Sequence, residues 1–322
     1  MTDKIVMIAI VGRPNVGKST LTNILTGDKV AIVTPKPQTT RNRIFGVFTY
    51  NRTQMVLLDT PGFHKARSRL GAYMVDIVLK SVIDVDAAAL VVEPVDNIGV
   101  QEELLIRHIE NSGVPAVLVI NKIDTINVEK ILPIIEMYSK RYKFDEIIPI
   151  SAKSGDGIPQ LLEIFDKYAS QGQPLFPEDK TTDQPEKQII AEIIREKLLI
   201  CLDREIPHGT AVEITKFSQR VKAGGDNSEF GIRNPESMDE GDGAEPGGVI
   251  DIDATIYCEK KNHKGMIIGK NGVMLKKIGQ LAREDIEKFM GEKVFLQTWV
   301  KVKENWRDSQ TMMKNFGYVK CI

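Results

Sequence analysis

Apolar runs bounded by Gly, Pro, Asn and Asp recur through the first half of the chain, at Ile5–Val11, Met55–Leu58, Ala87–Val92, Ala116–Ile120 and Ile147–Ile150. Runs this short, with turn formers at their ends, predict strands. Between them lie stretches of helical spacing, such as Gln101 to Ile109 and Ile158 to Tyr168, the second with Asp156 and Pro159 as start signals. This alternation predicts a mostly parallel, six-stranded sheet with helices on both faces, an α/β architecture. Arg43–Tyr50 and Thr53–Leu58, joined at Asn51-Arg52, predict one antiparallel hairpin at an edge.

The pattern breaks between Gln171 and Pro185, where Gln, Pro, Asp and Thr follow one another without periodicity. We read a domain at 1–172, a linker at 173–186 and a second domain at 187–322. In the second, Ile190, Ile194, Leu198 and Cys201 share a helical face, and Thr210–Phe217 and Val249–Cys258 read as strands. Leu275, Ile278, Ala282, Ile286 and Phe289 then form a core-facing stripe, Val294 to Val302 alternates as a strand, and a last short helix falls near Trp306 to Phe316. The order is that of an α+β domain. Residues 223–248, rich in Gly, Asp, Glu and Pro, interrupt it as an expected disordered insertion.

Composition narrows the reading. A chain of 322 residues suits two domains, and 42% hydrophobic with 27% charged residues is the globular class. The opening apolar run is too short to span a membrane. Three cysteines, Cys201, Cys258 and Cys321, match no zinc or disulfide spacing, which predicts a reducing, cytoplasmic setting. The net charge of −1 hides a division. From 187 onward, outside 223–248, there are 21 Lys and Arg against 14 Asp and Glu, while 223–248 holds seven acids and one base. A basic framework carrying an acidic insertion predicts a polyanionic partner for the framework.

Directly after the first strand comes Gly12-Arg13-Pro14-Asn15-Val16-Gly17-Lys18-Ser19, the phosphate-cradling pattern G-x-x-x-x-G-K-[ST]. Its glycines let backbone N–H groups close around phosphate oxygens, and the following helix turns its positive end to them. Lys18 is placed to neutralise the β- and γ-phosphates and Ser19 to reach Mg²⁺. Gly12, Asn15, Val16, Gly17, Lys18, Ser19 and Thr20 are the candidate contacts. The base is read elsewhere: Asn121-Lys122-Ile123-Asp124 follows a strand. A carboxylate at 124 accepts two donors from guanine, where adenine has none to offer. Asp59-Thr60-Pro61-Gly62 and Ser151-Ala152-Lys153 complete a set that resembles the translational-factor-related GTPases.

That resemblance implies GTP and GDP as ligands with Mg²⁺ held by Ser19, Thr40 and Asp59, the last through water. It implies that Gly62 senses the γ-phosphate, that the Ala152 backbone supports the guanine oxygen, and that Lys122 flanks the base. Thr40, with Thr39 as runner-up, lies in Pro37-Gln38-Thr39-Thr40-Arg41, which resembles a first switch. Lys18, Thr40, Gly62 and Asn15 are the candidates for hydrolysis. Phe63 stands where Ras-type enzymes carry the water-orienting Gln. Asn15 resembles the asparagine of GTPases that hold a potassium ion, which would supply positive charge there. Arg41, Arg43 and His64 are weaker alternatives, being charged groups on loops where solvation is usual.

In the second domain, Gly269-Lys270-Asn271-Gly272 forms a G-x-x-G turn ahead of an amphipathic helix. KH domains clamp about four unpaired nucleotides with such a loop. Lys260, Lys261, Lys264, Lys270, Lys276 and Lys277 surround it; Lys264, Lys270 and Lys276 join the turn as candidate RNA contacts. Trp299, Trp306, Phe289 and Phe295 read as core rather than base-stacking residues. A KH domain, of type II here, after a P-loop GTPase domain resembles the Era family over nearly the whole chain, including Arg195-Glu196-Lys197-Leu198-Leu199 and Trp299-Val300-Lys301-Val302-Lys303. The resemblance implies a monomer that binds 16S ribosomal RNA near its 3′ end during assembly of the small (30S) ribosomal subunit. It also implies a cytoplasmic protein with some peripheral contact at the inner face of the cell membrane.

Overall fold

The structure is a computed structural model and describes residues 2–203, 206–222, 230–233 and 248–318, with the backbone alone at 221–222 and 230–233. The chain divides into two compact units between Gln184 and Pro185.

In the first unit the sheet order is β2-β3-β1-β4-β5-β6, from β1 (Lys4–Val11), β2 (Ile44–Tyr50), β3 (Thr53–Asp59), β4 (Ala87–Val92), β5 (Ala116–Ile120) and β6 (Glu146–Pro149). A two-residue strand, β7 (Ser170–Gln171), also pairs with β1. β2 and β3 form the expected edge hairpin, turned by Asn51 and Arg52 in left-handed backbone. All other main pairings are parallel. Alternate residues of the central strands therefore reach two cores. One packs against Leu21 and Leu25 of α1 (Lys18–Thr26) and Leu161 and Phe165 of α5 (Ile158–Asp166). The other packs against α2 (Arg69–Ser81), α3 (Val100–Ser112) and α4 (Ile131–Arg141) through Val78, Leu105, Ile109 and Tyr138. Each such buried side chain is worth roughly 1.5–3 kcal/mol.

Register decides where the chemistry gathers. Ile10 lies opposite Asp59, and Ile120 lies opposite both Val92 and Pro149. The loops after β1, β3, β4, β5 and β6 consequently open at the same carboxyl edge, where open α/β sheets bind ligands.

The expected linker behaves differently. Val47 N–H donates to Thr181 O at 2.8 Å, Phe45 N–H to Asp183 Oδ1 at 3.3 Å, and the Gln54 amide to Phe176 O at 2.7 Å. Residues 175–183 are a strap on the edge hairpin, held to Gln54 of β3 at one end and at 181–183 to edge strand β2, which otherwise presents unpaired backbone groups. The first unit thus runs to Gln184, not to 172.

The second unit orders its sheet β11-β10-β8-β9, from β8 (Ala211–Lys222), β9 (Phe230–Arg233), β10 (Val249–Cys258) and β11 (Lys293–Val302). α6 (Glu186–Cys201), α7 (Lys261–Ile268) and α8 (Val273–Met290) pack into one core with it, and α9 (Gln310–Asn315) follows. Ile250, Ile252, Ala254 and Ile256 of β10 meet Ile190, Ile194, Ile278, Ala282 and Ile286 in one core. Within the insertion, Phe230–Arg233 pairs with β8 as a strand, against the expectation of disorder throughout. Its other residues, 223–229 and 234–247, lie outside the described residues, as does Cys321.

Of the aromatics assigned to the core, only Trp306 is fully buried, its Nε1 donating to Gly209 O at 2.9 Å. Trp299 (44% exposed), Phe295 (48%) and Phe289 (40%) are not core residues. Phe295 and Trp299 sit at odd positions of β11, whereas the buried Val294 and Val300 take the even, helix-facing side. The polar stretch Arg195-Glu196-Lys197 is buried instead, with Lys197 Nζ 2.9 Å from Glu196 Oε2 and 2.5 Å from Asp285 Oδ2 of α8. No helix among the described residues is long and apolar enough to cross a membrane.

Candidate functional site

The loop from Gly12 to Gly17 takes a path few side chains permit. Gly17 has φ +98°, and a Cβ on Gly12 would meet Val91 O at 2.3 Å. Asn15 is left-handed too, with φ 68°. This loop, with Lys18, Ser19, Thr20, Thr39, Thr40, Gly62, His64 and Lys122, lines a cleft of about 770 Å³. A Cβ on Gly62 would come 2.5 Å from Pro14 Cα, so only glycine lets the loop after β3 come this close to the phosphate loop.

Lys18 is 6% exposed and donates to Gly12 O at 3.2 Å and Arg13 O at 2.8 Å. Burial lowers its pKa to about 8, with Asp59 acting in the opposite direction. Its ammonium is held at the loop's own carbonyls, ready to turn to phosphate. Asp59 Oδ2 accepts from Ser19 Oγ at 2.6 Å, and Ser19 Oγ lies 2.8 Å from Thr40 Oγ1. The three expected Mg²⁺ partners are together. Asp59 Oδ1 is buried without a hydrogen-bond partner, and two hydroxyls beside a carboxylate suit a small, hard, oxygen-seeking cation. The residues fit Mg²⁺, which when bound would neutralise charge on the phosphates. Thr39, the runner-up, instead pairs with Thr34 Oγ1 at 2.7 Å and Lys36 O at 2.7 Å.

Burial raises the Asp59 pKa from 3.8 to about 6, against the lowering pull of Ser19, Lys18 and the Thr60 amide. Folding raises this pKa, so the group favours the fold at low pH and that support is lost as pH rises from 3.8 to about 6. For binding, a proton competes with Mg²⁺. Nucleotide affinity in Mg²⁺ should therefore weaken below pH 6, approaching roughly tenfold per pH unit. A fluorescent-GDP titration from acidic to neutral pH measures this, and a flat profile would contradict it; Asp59→Asn should lose both the slope and the Mg²⁺ dependence.

At the base end, Asp124 Oδ1 accepts from Ser151 Oγ at 2.7 Å, which orients the carboxylate. Asn121 Nδ2 donates to Val16 O at 2.8 Å, and its Oδ1 accepts from Ala152 N–H at 2.9 Å. Asn121 is thus a strut between the phosphate loop and the Ser151-Ala152 loop. The Ala152 amide, expected to support the guanine oxygen, is already engaged by that strut, and Lys153 is exposed. Lys122 Nζ donates to Asn15 O at 2.6 Å and pairs with Glu93.

Among the alternatives for hydrolysis, Arg41 is 1% exposed, not a solvated loop charge. Arg43 lies over the Phe45 ring at 4.7 Å. His64 lines the cleft, with Nδ1 donating to Gly62 O at 3.0 Å. Phe63 is core, 8% exposed. Two acids escaped the sequence reading. Glu93 enters only through β4–β5 pairing, and Glu102, 0% exposed, meets Arg13 Nε at 2.9 Å only once α3 docks.

In the second unit, Gly269 (φ 73°), Asn271 (φ 53°) and Gly272 (φ 77°) make the G-x-x-G turn between α7 and α8. A Cβ on Gly269 would meet Met274 Cβ at 2.7 Å, while Gly272 faces open space. No side chain caps the start of α8, so its first N–H groups face an approaching phosphate. Lys264, Lys270, Asn271 and Lys276 are exposed around the turn. A groove of about 460 Å³ continues from it between α8 and β11, lined by Gly272, Leu275, Lys276, Gly279, Leu296 and Thr298. Such a groove can take unpaired bases while the turn holds their backbone.

Comparison with known proteins places both units in known families. A family profile described as "50S ribosome-binding GTPase" matches residues 7–122 and a KH-domain profile matches residues 235–307. GTPase Era of Ruminiclostridium cellulolyticum is 46% identical over 99% of this chain and 98% of its own. That of Alkaliphilus oremlandii is 46% identical over 99% and 100%. A crystal structure of Era with MgGDPNP and nucleotides 1506–1542 of 16S ribosomal RNA superposes with a TM-score of 0.87, at 36% identity, over 98% of this chain and 99% of that one. An Aquifex aeolicus Era variant bound to GDP and AlF4⁻ gives 0.86, at 36% identity and the same coverage. Likeness of this extent, through both units and nearly every residue of the relatives, shows that the chain belongs to the GTPase Era family.

Proposed function

We propose that this GTPase uses its nucleotide state to govern how its KH unit holds the 3′ end of 16S ribosomal RNA, as a switch in assembly of the small ribosomal subunit and maturation of its RNA. The observation that carries the reading is the full-length likeness to an Era bound at once to a GTP analogue and to that RNA. Supporting it are a cleft lined by Lys18, Ser19 and Thr40 with Asp59 bonded to Ser19, a carboxylate at Asp124 oriented by Ser151, and an open G-x-x-G turn ringed by lysines.

In that reading Lys18 and the loop amides bind the phosphates, and Thr40 and Gly62 register the γ-phosphate. Binding of a 3′-terminal 16S fragment should be tighter with a non-hydrolysable GTP analogue than with GDP; equal affinities would remove the switch. Lys270→Glu should weaken RNA binding by roughly tenfold or more and flatten its salt dependence, because one phosphate contact becomes a repulsion.

A monovalent cation at Asn15 belongs to the same proposal. Asn15 Nδ2 donates to Pro35 O at 2.8 Å, which leaves the amide oxygen as an acceptor beside the phosphate loop. Turnover should be roughly tenfold faster in potassium than in sodium, and Asn15→Ala should erase the difference. Peripheral contact with the cytoplasmic face of the membrane is also proposed, with co-sedimentation on anionic vesicles as its test.

A further inference from the structure

Lys122 takes a left-handed backbone, φ 65°, which side chains other than glycine adopt at a cost. That conformation returns its side chain across the phosphate loop, where Nζ donates to Asn15 O at 2.6 Å. The same ammonium pairs with Glu93, the first residue after β4. Val92 lies opposite Ile120 in the parallel pair, and Asn121 N–H extends the ladder to Val92 O at 2.9 Å. Glu93 and Lys122 therefore emerge side by side at the sheet edge. Val95 N–H donates to Glu93 O at 2.9 Å, a turn around Pro94 that fixes the acid's backbone.

The pair is costly to explain as a stabiliser. Its side chains are 37% and 31% exposed, and an ion pair at that exposure returns little. Glu93 also lines a cleft made for a polyanion, where an unpaired carboxylate would repel the ligand. Strained backbone maintained around a weak surface pair is the signature of a site prepared for binding.

We propose that Glu93 is a positioning residue for guanine nucleotide: it holds the Lys122 ammonium on the Asn15 carbonyl, locking base loop to phosphate loop before the ligand arrives. Preorganisation of this kind raises affinity by lowering what must be ordered on binding. The inference rests on the cleft being the guanine-nucleotide pocket.

The test uses the full chain with Mg²⁺ and fluorescent GDP and GTP. Glu93→Gln should weaken both nucleotides alike, by about threefold, chiefly through faster release, and raise KM with kcat moving less than about twofold. Its melting temperature should stay within about 2 °C of the parent. In a Lys122→Ala background the same substitution should have no further effect, since Glu93 acts through that lysine. Parental affinity in Glu93→Gln, an undiminished loss in the Lys122→Ala background, or a loss that only tracks melting temperature would each overturn the proposal. A parent chain that binds no GDP would overturn the pocket reading and this proposal with it.

Discussion

Asp124→Asn is expected to abandon guanine for xanthine. A carboxylate at 124 can accept from two donors on guanine, its N1–H and exocyclic amine, while Ser151 Oγ at 2.7 Å fills one further acceptor site and sets its orientation. An amide in its place offers one acceptor and one NH₂ donor. The donor then faces guanine's amine, a mismatch inside a hydrogen-bonding site, which costs on the order of 10³–10⁴ in affinity. Xanthine carries an oxygen where guanine carries that amine, so the new donor is satisfied. Competition of GDP and XDP for the fluorescent-nucleotide site measures the exchange. Equal loss of both nucleotides would mean that Asp124 only shapes the loop and does not read the base.

Lys18→Ala should reduce GTP turnover by about a thousandfold or more, since one preorganised charge aimed at developing negative charge commonly accounts for that much. The location argues for function over stability. Burial lowers the Lys18 pKa from 10.5 to about 8, a displacement worth roughly 3 kcal/mol against the charged form in the folded chain. Folding depresses this pKa, so the penalty is fully present below about 8 and is relieved as pH rises toward 10.5. The empty protein should accordingly lose part of its rise in stability across that alkaline window when Lys18 is replaced. Single-turnover hydrolysis and melting curves against pH separate the two effects. Turnover within tenfold of the parent would exclude Lys18 from transition-state stabilisation.

Much of the candidate site was legible because the phosphate-loop and guanine motifs are local. Gly12 to Ser19 is a contiguous turn whose backbone demands admit few residues, and Asp124 follows directly on a recognisable strand. The sequence ranks Thr40 above Thr39 only through the resemblance to a first switch, because neighbours in one loop differ chiefly in where the fold turns them. The structure puts Thr40 on Ser19 and gives Thr39 to Thr34. Asn121 and Ala152 were placed at the base, yet bond each other as a strut, a pairing set by the approach of two loops far apart in the chain.

The sequence alone determined the alternation of strands and helices, the phosphate loop, the strand-end carboxylate at 124 and the G-x-x-G turn, since each is written within a few consecutive residues whose spacing carries its physics. Folding in three dimensions set the rest: that residues 175–183 lie on the edge hairpin, that Arg195-Glu196-Lys197 is buried while Phe295 and Trp299 are not, and that Glu93 reaches Lys122. A strand's alternation tells which residues share a face, but which face is covered depends on what packs against it. An ion pair between strands needs their order and register, and neither is encoded in any single stretch of the chain.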